Sequence, residues 1–167
     1  MGVSPQPSGR LLATGGGQDL VLARSFEAGI EEIWAELTDS ERTARWFGPW
    51  SGDGKPGGTI SCRMVFEQGE PVSEMVVDAC ESPRHLALHA EDEFGNWRLE
   101  VDLEESAGKT TLQLTHHLDE QAQPGMVGPG WEYYLDMLVA ARAGGPRPSF
   151  DDYFPAQQAY YEGLVPE

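Results

Sequence analysis

The organisation of this chain is set by residues 128–145, which read GPGWEYYLDMLVAARAGG. Apolar and aromatic side chains recur there at helical spacing, namely Trp131, Tyr134, Leu135 and Leu138. Gly128-Pro129-Gly130 precedes the run, and Gly144-Gly145-Pro146 follows it as glycine and proline follow the end of a helix. The stretch predicts a long helix whose apolar stripe must be covered by another part of the fold.

The residues before this helix predict a sheet that can cover it. Between residues 59 and 118, polar and apolar side chains alternate in five runs (59–66, 71–81, 84–90, 96–105 and 110–118) separated by short turns. The alternation is cleanest in NWRLEVDLEE, 96–105, and the run 71–81 predicts a shared face for Met75, Val77 and Ala79. We therefore expect an antiparallel meander whose concave face buries the helix.

The first half of the chain predicts a strand, two short helices and a loop. Residues 19–28, DLVLARSFEA, alternate as a strand does. Ile30, Ile33, Trp34 and Leu37 then form one stripe of a two-turn helix. Asp39 or Ser40 is the expected N-cap of a second short helix that ends near Trp46-Phe47. Residues 48–59 are rich in glycine and proline, which indicates a loop.

Both ends of the chain lie outside this pattern. Residues 1–18 contain Pro, Ser and a Gly15-Gly16-Gly17 run, which predicts a flexible N-terminal extension. Residues 19–145 are predicted to form a single domain, and the aromatic-rich residues 146–167 to form a C-terminal extension with a short helix that packs on it.

Composition narrows the classes of partner. The formal net charge of −17 disfavours nucleic acid and anionic membranes as partners. No run of residues resembles a signal peptide or a membrane span. The 2 cysteines are too few for a disulfide scaffold, so we expect a cytoplasmic protein with reduced thiols. The oligomeric state stays open, a homodimer included.

Several short motifs resemble one family. They are Arg24 at the end of the first strand, Trp34, Thr38-Asp39, Trp46-Phe47, SPRHLAL (82–88), LTHHL (114–118) and GWEYYLDML (130–138). Together they are similar to the single-domain family related to the C-terminal domain of the activator of Hsp90 ATPase, in the START-like or polyketide cyclase superfamily. The resemblance implies an α+β helix-grip fold: a curved antiparallel sheet of six or more strands wrapped around a long C-terminal helix, with two short helices after the first strand.

The resemblance also implies a cavity between sheet and helix that binds a small hydrophobic or aromatic ligand. Its expected lining is Trp46, Phe47, Trp50, Met64, Phe66, Met75, Leu86, Trp97, Leu99, Leu114, His116, Trp131, Tyr134, Leu135 and Leu138. The same side chains could instead fill a closed core, and the sequence leaves both interpretations open.

An enzyme related to the cyclases is the first alternative function. It requires an acid–base pair in the cavity, for which His116 and Tyr134 are the candidates. His116 could equally be a buried histidine that is satisfied by a backbone carbonyl. Glu132 and Asp136, one helical turn apart, are predicted to lie on a solvated edge or to present a carboxylate at the pocket mouth.

The sequence predicts no cofactor and no metal. No glycine-rich loop opens into a helix with a lysine, and His85 and His89 are spaced too far apart to share one ion without a third ligand. A second alternative function is docking to an Hsp90-like chaperone. Nothing in the chain corresponds to the separate N-terminal domain of the full-length activator, so we do not expect a chaperone partner.

Overall fold

The computed structural model describes residues 5–92, 95–119 and 122–167. These residues form one open, curved antiparallel sheet with strand order β1-β2-β8-β7-β6-β5-β4-β3, together with four α-helices. The elements in chain order are β1 (Arg10–Thr14), β2 (Gly17–Phe26), α1 (Ile30–Thr38), α2 (Ser40–Thr43), β3 (Trp50–Gly52), β4 (Thr59–Arg63), β5 (Val72–Glu81), β6 (His85–Asp92), β7 (Gly95–Ser106), β8 (Lys109–Leu118), α3 (Pro124–Ala143) and α4 (Gln158–Glu162).

The long helix α3 lies across the sheet, as the helix-grip prediction requires. Leu135 and Leu138 of α3 are buried in the same core cluster as Leu22 of β2 and Leu112 and Leu114 of β8. The predicted order of a strand, two short helices, an antiparallel meander and a closing helix is present. The helix-grip fold is therefore confirmed.

The glycine run near the N-terminus forms a hairpin. Strand β1 pairs with β2 so that Thr14 lies opposite Gly17, and Gly15-Gly16 is the two-residue turn between them. Residues 10–14, assigned from sequence to a flexible extension, therefore form the edge strand of the sheet. The local composition resembles a linker because a tight hairpin turn and a flexible linker both favour glycine.

Helix α3 begins earlier than the sequence indicates. It starts at Pro124 and contains Pro129, so Gly128-Pro129-Gly130 lies inside the helix and does not start it. Proline is tolerated at the first position because that amide has no helical partner. Gly128 is needed because a β-carbon there would lie 2.5 Å from the Tyr161 ring. The end is as predicted, with Gly144 in the left-handed conformation at φ 70°.

Two irregularities alter the predicted strands. Strand β4 ends at Arg63, because the amide of Met64 donates to the carbonyl of Pro71 and the intervening residues form a turn. In β5 a bulge between Val77 and Ala79 shifts the register. Ala79 therefore lies opposite Ala87 on the outer face, so the predicted shared face of Met75, Val77 and Ala79 is wrong at its third residue.

A buried carboxylate fixes α3 to the sheet. Glu132 is 1% exposed, and its Oε1 accepts a 2.7 Å hydrogen bond from Nη2 of Arg24 on β2. Its Oε2 accepts from the hydroxyl of Tyr161 at 2.5 Å and from the amide of Gly9 at 3.2 Å. Arg24 Nε also donates to Asp136 at 3.0 Å. The predicted solvated edge is therefore wrong for Glu132, which is the centre of a buried polar cluster.

The C-terminal segment packs against both α3 and β1. Tyr153 and Tyr161 are buried, and the hydroxyl of Tyr153 donates to Asp136 at 2.8 Å. At the end of the chain, Glu167 exchanges backbone hydrogen bonds with Leu11 and Ala13 of β1. This pairing covers the edge of the sheet, where an unpaired strand could otherwise recruit another chain. None of the helices in the described residues has the length and apolar character required to cross a membrane.

Tyr161→Phe should lower the free energy of unfolding by about 1.5–3 kcal/mol, because it removes a hydrogen bond to a buried charge. Tyr160→Phe is the matched control, since its hydroxyl donates only to the carbonyl of Gly9 and its side chain is partly exposed. The control should lose about 1 kcal/mol or less. Urea unfolding of both variants measures the difference, and equal small losses would contradict the role given to Glu132.

Candidate functional site

A small cavity separates α3 from the middle of the sheet, and residues of α1, of α2 and of the turn after α2 close one side of it. Its volume is about 90 Å³, and its surface is almost entirely apolar. The residues that line it are Leu37, Thr43, Trp46, Phe47, Met75, Leu86, Leu88, Leu99, Val101, Leu112, Leu114, Trp131, Tyr134 and Leu135.

The structure brings together most of the residues expected to line the cavity. The expected residues that line the cavity are Trp46, Phe47, Met75, Leu86, Leu99, Leu114, Trp131, Tyr134 and Leu135. Leu88, Val101 and Leu112 also line it, and strand alternation could have found them because each lies two residues from an expected one. Leu37 belongs to the predicted stripe of α1. The sequence did not indicate that Thr43 lines the cavity, because a polar residue in a short helix is usually expected to face solvent.

The other expected residues lie outside the cavity lining. They are Trp50, Met64, Phe66, Trp97, His116 and Leu138. Trp50 donates its indole N–H to the carbonyl of Thr38 at 3.1 Å, and Phe66 lies beneath the guanidinium of Arg147 at 5.1 Å. Leu138 is fully buried in the core. Met64 and Phe66 follow the end of β4 and so do not continue its alternation, whereas for His116 and Leu138 spacing gave the buried face but not the depth.

His116 lies behind Trp131 and not in the cavity. It is 2% exposed, and its Nδ1 accepts a 3.1 Å hydrogen bond from the indole N–H of Trp131. The ring stacks on Trp97 at a centroid distance of 5.2 Å. Burial lowers the pKa of His116 to about 4, although a hydrogen bond to the backbone carbonyl of Asn96 acts in the opposite direction. The imidazole is therefore neutral, and both its nitrogens are engaged.

Tyr134 faces the cavity but directs its hydroxyl to a loop carboxylate. The hydroxyl donates to Oε2 of Glu67 at 2.6 Å, in the turn between β4 and β5. Burial raises the pKa of Tyr134, and the hydrogen bond to Glu67 raises it further. The sequence pattern does not single out Glu67, because nothing distinguishes one glutamate in a polar turn from another.

The proposed acid–base pair is not joined in the structure. The indole of Trp131 lies between the two residues, with ring centroids 6.0 Å from His116 and 6.4 Å from Tyr134. His116 bonds to Trp131, whereas Tyr134 bonds to Glu67. Each candidate therefore has its own partner, and neither is held ready to exchange a proton with the other.

Two further lining residues also have their polar hydrogens engaged. The indole N–H of Trp46 donates to the carbonyl of Glu36 at 2.9 Å. The hydroxyl of Thr43 donates to the carbonyl of Gly48 at 2.7 Å. These bonds fix the turn after α2, and they leave the cavity with an aromatic wall in which Phe47 lies 5.5 Å from Trp46 and 5.0 Å from Tyr134 between ring centroids.

The pKa of the next residue along β8, His117, is shifted in the opposite direction. His117 lies on the outer face of the sheet, where its Nδ1 contacts Asp19 at 2.7 Å and its Nε2 contacts Glu100. Partial burial lowers the pKa of His117, but the hydrogen bonds to Glu100 and Asp19 outweigh it, so the pKa is raised overall. Adjacent histidines on the two faces of one strand thus have opposite pKa shifts.

The two histidines should give opposite pH dependence to stability. The pKa of His116 is about 4 in the folded state and about 6.5 in the unfolded state. Its contribution to the free energy of unfolding is therefore complete above pH 6.5 and is lost as the pH falls to about 4. The loss amounts to roughly 3 kcal/mol. His117 has a raised folded pKa, so its contribution is complete below about pH 6.5 and lost as the pH rises through the folded value.

Urea unfolding from pH 4 to 8 tests this on His116→Gln and His117→Gln, each compared with wild type. A glutamine at 116 can still accept from Trp131 and donate to Asn96 while removing the titrating group. The difference in free energy of unfolding between wild type and His116→Gln should shrink towards pH 4. The difference between wild type and His117→Gln should shrink towards pH 8. Parallel pH profiles for all three proteins would contradict the assignment.

Comparison with known proteins agrees with this fold. A family model described as activator of Hsp90 ATPase homolog 1-like protein matches residues 27–143. The crystal structure of CalU16 from Micromonospora echinospora is similar at 25% identity and a TM-score of 0.78, over 95% of this chain and 96% of that one. The solution structure of the BPP1335 protein from Bordetella parapertussis is similar at 25% identity and a TM-score of 0.73, over 99% and 96%.

A third structure, DynU16 from the dynemicin biosynthetic locus, shares the fold at 22% identity and a TM-score of 0.63, over 77% of this chain and 48% of that one. A search of curated proteins gives no match. The family match spans more than half of the chain and contains both α1 and the whole of α3. The protein therefore belongs to the activator of Hsp90 ATPase homolog 1-like family.

Proposed function

We propose that this protein binds a small apolar or aromatic molecule in the cavity between α3 and the sheet. The observation that supports this most directly is the lining itself, in which four aromatic side chains face aliphatic side chains of the sheet around unfilled space. A tightly packed core leaves few voids larger than a water molecule. An apolar cavity of this kind stays dry and is suited to an apolar guest.

The polar groups favour binding over catalysis. A cyclase-like reaction needs a base with a lone pair that faces the substrate. The lone pair of His116 at Nδ1 accepts from Trp131, and burial keeps the hydroxyl of Tyr134 protonated. Neither group is directed at the cavity as an acid or a base, so the cyclase alternative has weaker support than a binding role.

The cavity volume limits the size of the ligand. An engineered protein cavity of about 150 Å³ accepts benzene, whereas the present one measures about 90 Å³. A single ring therefore requires a small adjustment of the wall. Phe47 is the side chain best placed to make it, because it is half-buried and follows the short helix α2, whereas Trp46 and Tyr134 are held by hydrogen bonds.

We place this binding role in the cytoplasm. Cys62 and Cys80 are both free thiols, which supports a reducing compartment. Burial raises the pKa of the Cys62 thiol to about 11, with a smaller contribution from Glu67. Cys62 is therefore expected to remain an unreactive core residue.

Toluene should bind the wild-type protein and shift the indole N–H signals of Trp46 and Trp131 in a ¹H–¹⁵N NMR titration. Val101→Phe should abolish these shifts by filling the cavity, because Val101 lines it. Val76→Phe is the matched control, since Val76 lies on the outer face of β5 opposite His89. Leu135→Ala should enlarge the cavity and tighten binding, at a cost of about 2–5 kcal/mol in stability.

At 100 times its dissociation constant, toluene should stabilise the wild-type protein by about 2.7 kcal/mol, which is a rise of several degrees in Tm. Equal shifts in wild type and Val101→Phe would mean that toluene binds elsewhere. No shift even in Leu135→Ala would mean that the cavity is inaccessible. A pull-down with Hsp90 would then become the next experiment.

A further inference from the structure

We infer that the cavity selects organic cations with an apolar body over organic anions of the same shape. This inference rests on the proposed function and names the chemical class of its ligand. It follows from three features of the site: the hydrogen bonds of the lining side chains, the presence of four aromatic side chains in the lining, and the position of the charged residues nearby.

Within the part of the chain that the structure describes, the side chains of the cavity lining offer no free donor to an anion. Four of them carry a polar hydrogen, and each hydrogen is already donated within the protein. The acceptors are backbone carbonyls for Trp46 and Thr43, Nδ1 of His116 for Trp131, and the carboxylate of Glu67 for Tyr134. Either kind of ion loses hydration when it enters an apolar site, but a carboxylate gains no hydrogen bond in return, whereas an ammonium group can gain contacts with aromatic rings.

The aromatic wall favours the opposite charge. Trp46, Phe47, Trp131 and Tyr134 all line the cavity. Aromatic rings carry partial negative charge on their faces, and they attract ammonium groups within about 6 Å of the ring centre. Among the described residues that line the cavity, none is a lysine, an arginine or a histidine that could oppose this attraction.

Glu67 supplies a negative charge beside Tyr134, outside the cavity lining. Its carboxylate accepts from the hydroxyl of Tyr134 and is itself exposed, so its charge is not buried while its field favours a cationic group over an anionic one near that side chain. The net charge of −17 adds a long-range field that concentrates cations and repels anions near the surface.

The arginines around the site are directed elsewhere. Arg42 and Arg45 each donate to the buried carboxylate of Glu36 at 3.0 Å, and Arg142 bridges Glu36 and Glu32. Arg147 is the exception, because it lies over the ring of Phe66, next to Glu67 in sequence. Its charge should partly offset that of Glu67, and this makes it a second site at which the inference can be tested.

Three probes with one shared skeleton separate charge from shape: toluene, benzylammonium and benzoate, titrated at pH 7 and low salt with the Trp46 and Trp131 indole signals as the readout. Benzylammonium should bind about tenfold more tightly than benzoate, which corresponds to a cation–aromatic interaction of ordinary strength. In Glu67→Gln, which retains an acceptor for Tyr134, this ratio should fall severalfold. In Arg147→Gln the ratio should rise.

Two controls separate the cavity from the acidic surface. Glu70→Gln removes a charge from the same turn at a residue that pairs with Arg63, and it should leave the ratio nearly unchanged. Val101→Phe fills the cavity and should abolish the indole shifts for all three probes. If toluene binds but benzylammonium and benzoate bind equally, the inference is overturned and the proposed function stands. If toluene also fails to bind, both are overturned.

Discussion

The contact between Arg24 and Glu132 holds the architecture together. A buried carboxylate is strongly destabilising unless it is paired and hydrogen-bonded. Glu132 of α3 meets this requirement with groups from three other parts of the chain: β2, the residues before β1, and α4. The contact therefore fixes the rotation of α3 about its axis. With Glu132 directed at Arg24, the face that carries Trp131, Tyr134 and Leu135 is turned towards the middle of the sheet.

The cavity follows from that rotation. Large aromatic rings on α3 and on the turn after α2 meet leucine and valine side chains of the sheet, and their shapes leave about 90 Å³ unfilled. The polar atoms of these rings bond to groups outside the cavity, so its inner surface is apolar although two tryptophans, a tyrosine and a threonine line it. The same hydrogen bonds that stabilise the wall thus make the site suited to binding and poorly suited to acid–base chemistry.

Period-two alternation and helical spacing were enough to predict the sheet and the closing helix, because both patterns report directly which face of an element is buried. Nine residues of the cavity lining were expected only once the family resemblance was added to these patterns. They could not reveal partners distant in sequence. Glu132 looked solvent-facing since its partners Arg24 and Tyr161 lie 108 and 29 residues away. The hairpin of β1 and β2 was not predicted because its glycine turn resembles a flexible linker. The bulge in β5 was not predicted because the alternation of residues across it is unbroken. Sequence patterns also do not show how far a buried side chain lies from a cavity, which is why Leu138 and His116 were expected in the lining.

Ligand binding by this protein requires unfilled, apolar and accessible space beneath α3. A crystal structure determined under xenon pressure detects such space, because xenon enters dry apolar cavities without needing a polar partner. We expect a xenon atom between Trp131 and Leu135 of α3 and Leu99 of β7, with α3 in an unchanged position. A fully packed interior that admits no xenon at this place would contradict it.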